Sequence, residues 1–288
     1  MVQWRGRRKS GNIVDVRGGQ SGRSRGGRRG AVAGGSLGCG TLIFVLIAVL
    51  LGADLQSILG LVGGSQQQAQ VDQQPTATPP SDDAGEFTSV ILASTEDVWN
   101  QLFRASGYQY AEPRLVLYTN QVRSACGING AATGPFYCPA DQQVYIDLSF
   151  LRELQRLGAP GDFAFAYVIA HEIGHHVQTL TGVSQQVSQA QRRSSQSRAN
   201  QLSVLLELQA DCYAGVWAHY ADQDGYIEPG DIEEGMQAAA AIGDDRLARM
   251  SGRPIQPDGF THGTSAQRMQ WFRTGYQTGD TDSCDTFR

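Results

Sequence analysis

Hydrophobic and polar positions divide the chain into four stretches of different character. The first 30 residues are rich in Arg, Gly and Ser and have little apolar surface to bury, which predicts a disordered basic head. Residues 31–53 form an uncharged, largely apolar run that predicts a transmembrane helix, since 23 residues at about 1.5 Å each span a hydrocarbon layer of about 30 Å. Residues 54–86 are polar and without periodicity, as in a linker. A folded domain is predicted over residues 87–288.

Helical and strand periodicities both occur in this predicted domain, and the helical ones dominate. Apolar residues recur at helical spacing in residues 88–106, 150–157, 162–182, 202–220, 231–242 and 265–275. Residues 114–119 and 143–148 alternate in the way that strands do. Residues 184–200 are mostly Gln, Ser and Arg, which indicates a mobile helix or loop. We therefore predict an α+β domain, mainly helical with a small β-sheet.

The predicted helix over residues 162–182 contains the sequence H-E-I-G-H at residues 171–175, which fits the pattern H-E-x-x-H. Two imidazoles four residues apart lie on one helical face, so both can reach a single ion. Glu172 lies about 100° round the helix from His171, beside the open position of such an ion. There it can take a proton from a water molecule. His171 and His175 are therefore predicted zinc ligands, and Glu172 is the predicted general base.

A catalytic zinc site needs a third protein ligand while one position stays open for water. A third His six residues after the second would serve, but Thr181 stands there. A Glu on a following helix is the other common solution, and Glu207, which begins the run E-L-Q-A-D, supplies it. Asp211 lies one turn later on the same face and can accept the free ring N–H of a ligating His. We predict that Zn²⁺ is bound by His171, His175 and Glu207.

Charge is divided unevenly along the chain. Residues 1–36 carry nine Arg and Lys against one Asp, whereas the remainder carries 14 basic and 27 acidic residues, a net charge of −13. This acidic balance argues against nucleic acid as a partner of the domain. Positive charge before residues 31–53 and none close behind them predicts a cytoplasmic N-terminus and an extracytoplasmic domain. The expected location is therefore the cytoplasmic membrane, crossed once, with residues 31–53 in contact with the lipid bilayer; a cleaved signal peptide is the alternative.

Four of the five cysteines follow the apolar run, and Cys39 lies within it. An even number beyond a membrane segment is typical of disulfides formed in an oxidising compartment. Cys126 and Cys138 are close in sequence and bracket a loop that contains Gly and Pro, so we pair them. Cys212 and Cys284 then pair by elimination. Buried free thiols are the alternative.

These motifs are similar to those of the bacterial neutral zinc metallopeptidase family, which consists of membrane-anchored proteins with H-E-x-G-H-H-V-Q followed by E-L-Q-A-D-C. The matching residues are 171–178 (HEIGHHVQ) and 207–212 (ELQADC), and the likeness extends to residues 4–8, 134–139, 243–246 and 260–268. It covers the head and nearly all of the domain but not the linker or residues 184–200. The resemblance implies a bacterial protein with a zincin-like core of the gluzincin kind and a peptide or protein substrate.

Thermolysin-like peptidases steady the oxyanion of the tetrahedral intermediate with a distant His or Tyr. His262, in a loop before a helix, is the candidate for this role, with Tyr137 and Tyr145 as alternatives and a purely structural His262 as the other interpretation. His176 directly follows the second ligand but points to another side of the helix, so packing is predicted for it. Residues 136–147 are predicted to supply an edge strand along which an extended peptide can pair.

The sequence thus predicts a zinc-dependent peptidase in which Glu172 activates the attacking water. A zinc-stabilised scaffold that binds a partner without cleaving it is the alternative, because a zinc site with a nearby Glu does not by itself demonstrate turnover.

Overall fold

Two short apolar segments form the middle of the observed sheet, as their alternation predicts. Leu115 and Leu117 of one strand and Val144 and Ile146 of the other are fully buried. The strands run parallel, with Leu115 opposite Val144 and Leu117 opposite Ile146. Side chains on both faces of this pair are shielded, as is usual for parallel strands.

The computed structural model describes residues 1–17, 80–130 and 133–288. Eight α-helices lie in these residues: α1 Asp83–Ala105, α2 Phe150–Arg156, α3 Asp162–Leu180, α4 Val183–Gln191, α5 Gln196–Gln223, α6 Asp231–Ala241, α7 Asp244–Met250 and α8 Ser265–Thr278. The strands of the same residues are β1 Ile13–Asp15, β2 Arg114–Tyr118, β3 Gln121–Ser124, β4 Gly127–Gly130, β5 Phe136–Cys138 and β6 Gln143–Asp147. Short 3₁₀ helices occur at Pro257–Gly259 and Thr281–Cys284.

The main sheet has the strand order β1-β2-β6-β5, and β3 and β4 form a separate antiparallel hairpin. Strands β1, β2 and β6 are parallel, whereas β5 runs antiparallel to β6 and forms one edge. The predicted α+β class is confirmed. The extended region predicted over residues 136–147 is two strands joined by a turn, and its first strand is the sheet edge.

Helix α3 lies in the middle of the domain because its first half is apolar all round. Every residue from Phe163 to Ala170 is at most 4% exposed. Helices α1, α5 and α6 pack against it. The approach of α5 is close at Gly174, where an added Cβ would lie 3.0 Å from the carbonyl oxygen of Ala210. The two motif-bearing helices are thereby held side by side.

The end of the predicted linker and the stretch predicted as a mobile helix or loop both contain helix. Helix α1 begins inside the predicted linker, where the Asp82 side chain accepts the backbone N–H of Gly85 and caps the helix. Residues 184–200 contribute to α4 and to the start of α5. Here the Gln191 side chain donates to the carbonyl of Ala199, so side-chain contacts between neighbouring helices replace the missing apolar stripe.

The disorder expected for residues 1–30 is not found in residues 1–17, which pack on the domain. Strand β1 pairs with β2, and Val2 and Ile13 are only 5% and 4% exposed. Arg8 donates to the buried carboxylate of Glu96 on α1 at 3.0 Å. The few apolar side chains of this segment and its partners on α1 are enough to fix it. Residues 18–30 lie outside the described residues.

The predicted single-pass arrangement is wrong. The N-terminal strand belongs to the same hydrogen-bonded sheet as the domain, so the head and the domain cannot lie on opposite sides of a membrane. Arg17 and Asp82 also form an ion pair of 2.7 Å, which brings together the two ends of the segment between them. In the part of the chain that the structure describes, no helix combines the length and the apolar character needed to span a bilayer. Residues 31–53, predicted to span the bilayer, and most of the predicted linker lie outside the described residues.

Both predicted disulfides are present. Cys126 is bonded to Cys138, which ties the β3–β4 hairpin to the edge strand β5. Cys212 of α5 is bonded to Cys284 near the C-terminus, and both residues are fully buried. These bonds are compatible with an oxidising compartment.

The contact of Arg8 with Glu96 allows a test of whether the N-terminal segment stabilises the domain. Glu96→Ala removes a buried acceptor from Arg8, Ser10 and Asn12, so it should lower the free energy of unfolding by about 3 kcal/mol. Asp97→Ala is the matched control, because Asp97 is an exposed partner of the same arginine and should cost less than about 1 kcal/mol. Urea denaturation measures both values. Equal losses in the two variants would contradict a stabilising role of the buried contact.

Candidate metal centre

The predicted ligands converge although they come from two helices. His171 and His175 project from α3 towards Glu207 of α5, and their ligand atoms all lie within 4.8 Å of one another. The Nε2 atom of His171 lies 3.2 Å from Oε2 of Glu207, and that of His175 lies 3.5 Å from Oε1. The three side chains are largely buried, which suits a site that must exclude most of the solvent. The structure thus brings together all three residues that the sequence proposed as ligands.

The donor set of this site fits zinc. Two imidazole nitrogens and one carboxylate oxygen, with room for a water molecule, are a usual set for a catalytic zinc site. Burial would raise the pKa of Glu207, but the charge of His175 and hydrogen bonds from His171 and His175 bring it well below the ordinary value, so this carboxylate stays ionised. Burial also disfavours a charged His171, yet Asp211 and Glu207 raise the pKa of that ring to about 9. A cation is therefore favoured where the three side chains meet.

Each of the two candidate imidazole ligands is oriented by a hydrogen bond at its Nδ1 atom. The Nδ1–H of His171 donates to Oδ1 of Asp211 at 2.8 Å, the position that the sequence proposed for this carboxylate. The Nδ1–H of His175 donates instead to the side-chain oxygen of Gln178 at 2.9 Å. Gln178 in turn donates to the carbonyl of Leu206, next to Glu207 in the chain, at 2.7 Å. Both Nε2 atoms are thereby left to face the metal position.

Sequence reasoning missed several of these supporting residues. Gln178 lies one turn after His175 on α3, and Tyr167, whose hydroxyl donates to Asp211, lies one turn before His171, so helical spacing could have indicated both. Arg268, which donates to Asp211, comes from α8 and carries no local signal.

Glu172 lies beside the ligands and next to the sheet edge. It is 9% exposed, and the backbone N–H of Tyr137 in β5 is close enough to its carboxylate to oppose the rise of its pKa. Burial raises the pKa of Glu172, against the opposing charges of His175 and His171. The predicted general base is therefore near both the candidate ligands and strand β5.

His262 is held by a carboxylate that the sequence did not single out. Its Nδ1 lies 3.1 Å from Oδ1 of Asp244, and Oδ2 of Asp244 accepts the backbone N–H groups of Thr261, His262 and Gly263. The loop packs on α5 beside the metal ligand, since an added Cβ on Gly263 would lie 3.3 Å from Leu208. The ring of His262 is thereby within electrostatic range of Glu207.

The two tyrosines considered as alternatives to His262 already donate their hydroxyl protons to other side chains. Tyr145 donates to Asp141 at 2.8 Å. The hydroxyl of Tyr137 lies 3.1 Å from Nδ1 of His176, whose Nε2–H donates to the carbonyl of Ala111 at 2.6 Å. With Nε2 protonated, Nδ1 of this neutral ring must accept from Tyr137. His176 is therefore a packing residue, as predicted, and His262 is the better candidate for the oxyanion.

A second carboxylate group among the described residues has a different character. Asp162, Asp231 and Glu234 also place ligand atoms within 4.8 Å of one another. This group offers only oxygen atoms, and the ammonium group of Met1 lies 3.0 Å from Asp231. It is thus an unsuitable match for zinc, which favours nitrogen and sulfur donors.

The packing role of His176 can be separated from metal binding by substitution. His176→Leu leaves the Ala111 carbonyl and the Tyr137 hydroxyl without their partner, so it should lower the free energy of unfolding by about 2 kcal/mol. It should leave the zinc content unchanged. His175→Leu, one residue away, should instead abolish stoichiometric zinc. Zinc loss in the His176 variant would contradict the assignment.

The same histidine makes a contribution to stability that depends on pH. Burial lowers the pKa of His176 in the folded protein below its ordinary value of 6.5. Below about pH 6.5 the unfolded chain takes up a proton that the folded chain does not, so this contribution is lost as the pH falls. The stability difference between zinc-free wild type and His176→Leu should therefore shrink between pH 7.5 and pH 5.5, as measured by urea denaturation. A constant difference would contradict the burial of a neutral ring.

Comparison with known proteins agrees with this geometry. The model of a family described as "Putative neutral zinc metallopeptidase" matches residues 2–287. The chain is 49% identical over 287 residues to "Uncharacterized protein YpfJ" of Escherichia coli K12, with 99% of both chains covered. It is 39% identical over 264 residues to "Uncharacterized protein Rv2575" of Mycobacterium tuberculosis H37Rv, with 83% of this chain and 85% of that one covered. No solved structure gives a significant match. The chain belongs to the neutral zinc metallopeptidase family.

Proposed function

We propose that the protein hydrolyses peptide bonds at a zinc ion bound by His171, His175 and Glu207. The observation that carries this proposal is the convergence of two Nε2 atoms and a carboxylate directly beside Glu172. A purely structural zinc site has four protein ligands and no need of a neighbouring base. Here three ligands are grouped, and the fourth position is left to water or substrate.

The chemistry is divided between the ion and the side chains. Bound Zn²⁺ lowers the pKa of a water molecule to about 7 and polarises the peptide carbonyl group. Glu172 accepts a proton from the attacking water and delivers it to the leaving amine. Its buried position, which raises its pKa above that of an exposed Glu, suits a group that must take up a proton and release it again. Asp211 and Gln178 hold the two imidazoles in the orientation that the site needs.

Strand β5 supports a peptide or protein as the substrate. It has β6 on one side, and the described residues supply no strand on its other side. An extended peptide can pair with such an edge through main-chain hydrogen bonds. Because these bonds do not involve the side chains of the peptide, peptides of many sequences can bind in this way. Tyr137 of this strand lies next to Glu172, so a peptide on the edge would pass in front of the general base.

His262 is proposed to stabilise the oxyanion. Asp244 faces Nδ1 of the ring, so Nε2 is the nitrogen that remains to approach a substrate. The described residues offer Nε2 no hydrogen-bond partner, in contrast to the hydroxyl groups of Tyr137 and Tyr145. The loop places this ring near Glu207, where the carbonyl oxygen of a bound peptide would develop its charge.

Glu172→Gln tests turnover while it leaves the metal ligands in place. We expect a loss of peptide cleavage of about 10²–10⁴-fold, because the amide cannot accept the proton. Zinc content should stay stoichiometric, whereas the double variant His171→Ala, His175→Ala should lose the metal. Mass spectrometry of a peptide library incubated with each protein measures cleavage. Cleavage at the wild-type rate by Glu172→Gln would overturn the proposed mechanism, and full biological activity of an inactive variant would favour the scaffold.

His262→Phe tests the oxyanion role. Removal of a single donor of this kind typically lowers kcat by about 10²–10³-fold, and KM should change little since the donor acts mainly in the transition state. Tyr145→Phe is the control and should stay within about threefold of wild type. A large loss in the tyrosine variant together with an unaffected His262→Phe would transfer the role to Tyr145.

A further inference from the structure

Arg268 is a buried cation whose partners lead directly to the metal centre. The side chains of Arg268 and Asp211 are 1% and 0% exposed. Two parallel hydrogen bonds join them, from Nε to Oδ2 and from Nη2 to Oδ1, each 2.8 Å long. A buried ion pair is weak support for a fold, because apolar residues of similar volume would often stabilise it as well. A role beyond stability is therefore worth seeking.

The other partners of Asp211 show what the arginine holds in place. Oδ1 of Asp211 accepts the Nδ1–H of His171 and the hydroxyl of Tyr167 in addition to the Arg268 contact. The guanidinium also donates to the Tyr167 hydroxyl at 3.3 Å. With both oxygens engaged, the carboxylate can neither turn away from His171 nor swing towards the metal position.

Arg268 reaches Asp211 because helices α5 and α8 cross unusually closely. A Cβ on Gly275 would lie 1.9 Å from the carbonyl oxygen of Cys212, and one on Gly215 would lie 2.1 Å from that of Phe272. Only glycine permits this approach. Because the crossing follows Asp211 directly in α5, it fixes where the side chain of Arg268 meets the carboxylate.

The two proposed histidine ligands differ in the charge of the side chain that accepts their Nδ1–H. His175 is backed by the neutral amide of Gln178, whereas His171 is backed by a full negative charge. Arg268 offsets that charge. Without it, an unpaired buried carboxylate would stand behind one ligand, and such a group relaxes by rotating, by taking up water or by distorting its neighbours.

We propose that Arg268 is a positioning residue of the metal centre, which fixes Asp211 so that His171 presents Nε2 to zinc. This inference rests on the proposed zinc site and adds a residue from the C-terminal helix to it. The guanidinium also lies 3.5 Å from Nδ1 of His171, but that nitrogen donates its proton to Asp211 at 2.8 Å, so the positioning effect passes through Asp211. It should therefore appear in the affinity for zinc and in the geometry of the site, even where no peptide is present.

Zinc affinity of the purified full chain, measured by competition with a chelator, tests the proposal. Arg268→Met should weaken zinc binding by about tenfold or more, the usual effect of losing an outer partner of a ligand. Arg268→Lys should lose less, because the ammonium keeps the charge but cannot form the two parallel bonds. Arg246→Met is the matched control: Arg246 donates to the carbonyl of Leu157, away from the ligands, so its loss should reduce stability and leave zinc affinity unchanged.

The dependence on Asp211 separates positioning from a general structural role. In an Asp211→Asn background, Arg268→Met should change zinc affinity by less than about twofold, since its effect has no carboxylate to act through. The double variant contains no unpaired buried carboxylate, so its zinc affinity can still be compared with that of Asp211→Asn if Arg268→Met alone does not fold. The visible spectrum of bound Co²⁺ should change in Arg268→Met and stay unchanged in Arg246→Met, because it reports the geometry of the ligands.

The outcomes distinguish this proposal from the proposed function. A folded Arg268→Met protein with wild-type zinc affinity and an unchanged Co²⁺ spectrum overturns the positioning role alone. An equal loss of affinity in the Asp211→Asn background overturns the route through Asp211. A wild-type protein that binds no zinc overturns the zinc site and the positioning role together. A zinc-binding wild type without peptidase activity overturns only the proposed reaction.

Discussion

The close packing of α3 against α5 is the constraint on which the candidate centre depends. Helix α3 supplies two candidate ligands and α5 supplies one, and neither helix alone would hold an ion well. The absence of a side chain at Gly174 lets the backbone of α5 come near enough for Glu207 to reach both histidines. A zinc ion in this position would in turn join the two helices, so metal binding and helix packing support each other.

Charge balance is the second constraint, because the centre concentrates ionisable groups in a buried region. Glu172, Glu207 and Asp211 are all shielded from solvent, and three carboxylates without compensating charge would be costly. The guanidinium of Arg268 supplies part of the positive charge that this arrangement needs, and a bound Zn²⁺ would supply the rest. Similar side chains thereby have different surroundings: Glu207 faces His171 and His175, Glu172 lies near the edge strand, and Asp211 faces His171 and Arg268.

The N-terminal segment extends the sheet on the side away from the candidate site. Strand β1 adds to one edge through β2, whereas β5 forms the opposite edge beside Glu172. The free side of β2 is thereby occupied by β1, whereas β5 has no further strand beside it among the described residues and is the edge proposed to pair with a peptide. On the side of β1, Arg17 forms an ion pair with Asp82, the residue that immediately precedes α1.

The sequence alone determined those features that depend on local spacing. The H-E-x-x-H helix, the E-L-Q-A-D helix and the central strands could be read from periodicity and residue type, since helical and strand geometry repeat over a few residues. The disulfide partners followed from the number of cysteines and from the short separation of Cys126 and Cys138. Tertiary structure decided what depends on distant parts of the chain: the placement of residues 1–17, the pairing of His262 with Asp244, and the contact of Arg268 with Asp211. The topology predicted from the charge asymmetry failed for this reason, because a count of charges cannot show that Arg8 and Arg17 have acidic partners on and beside α1.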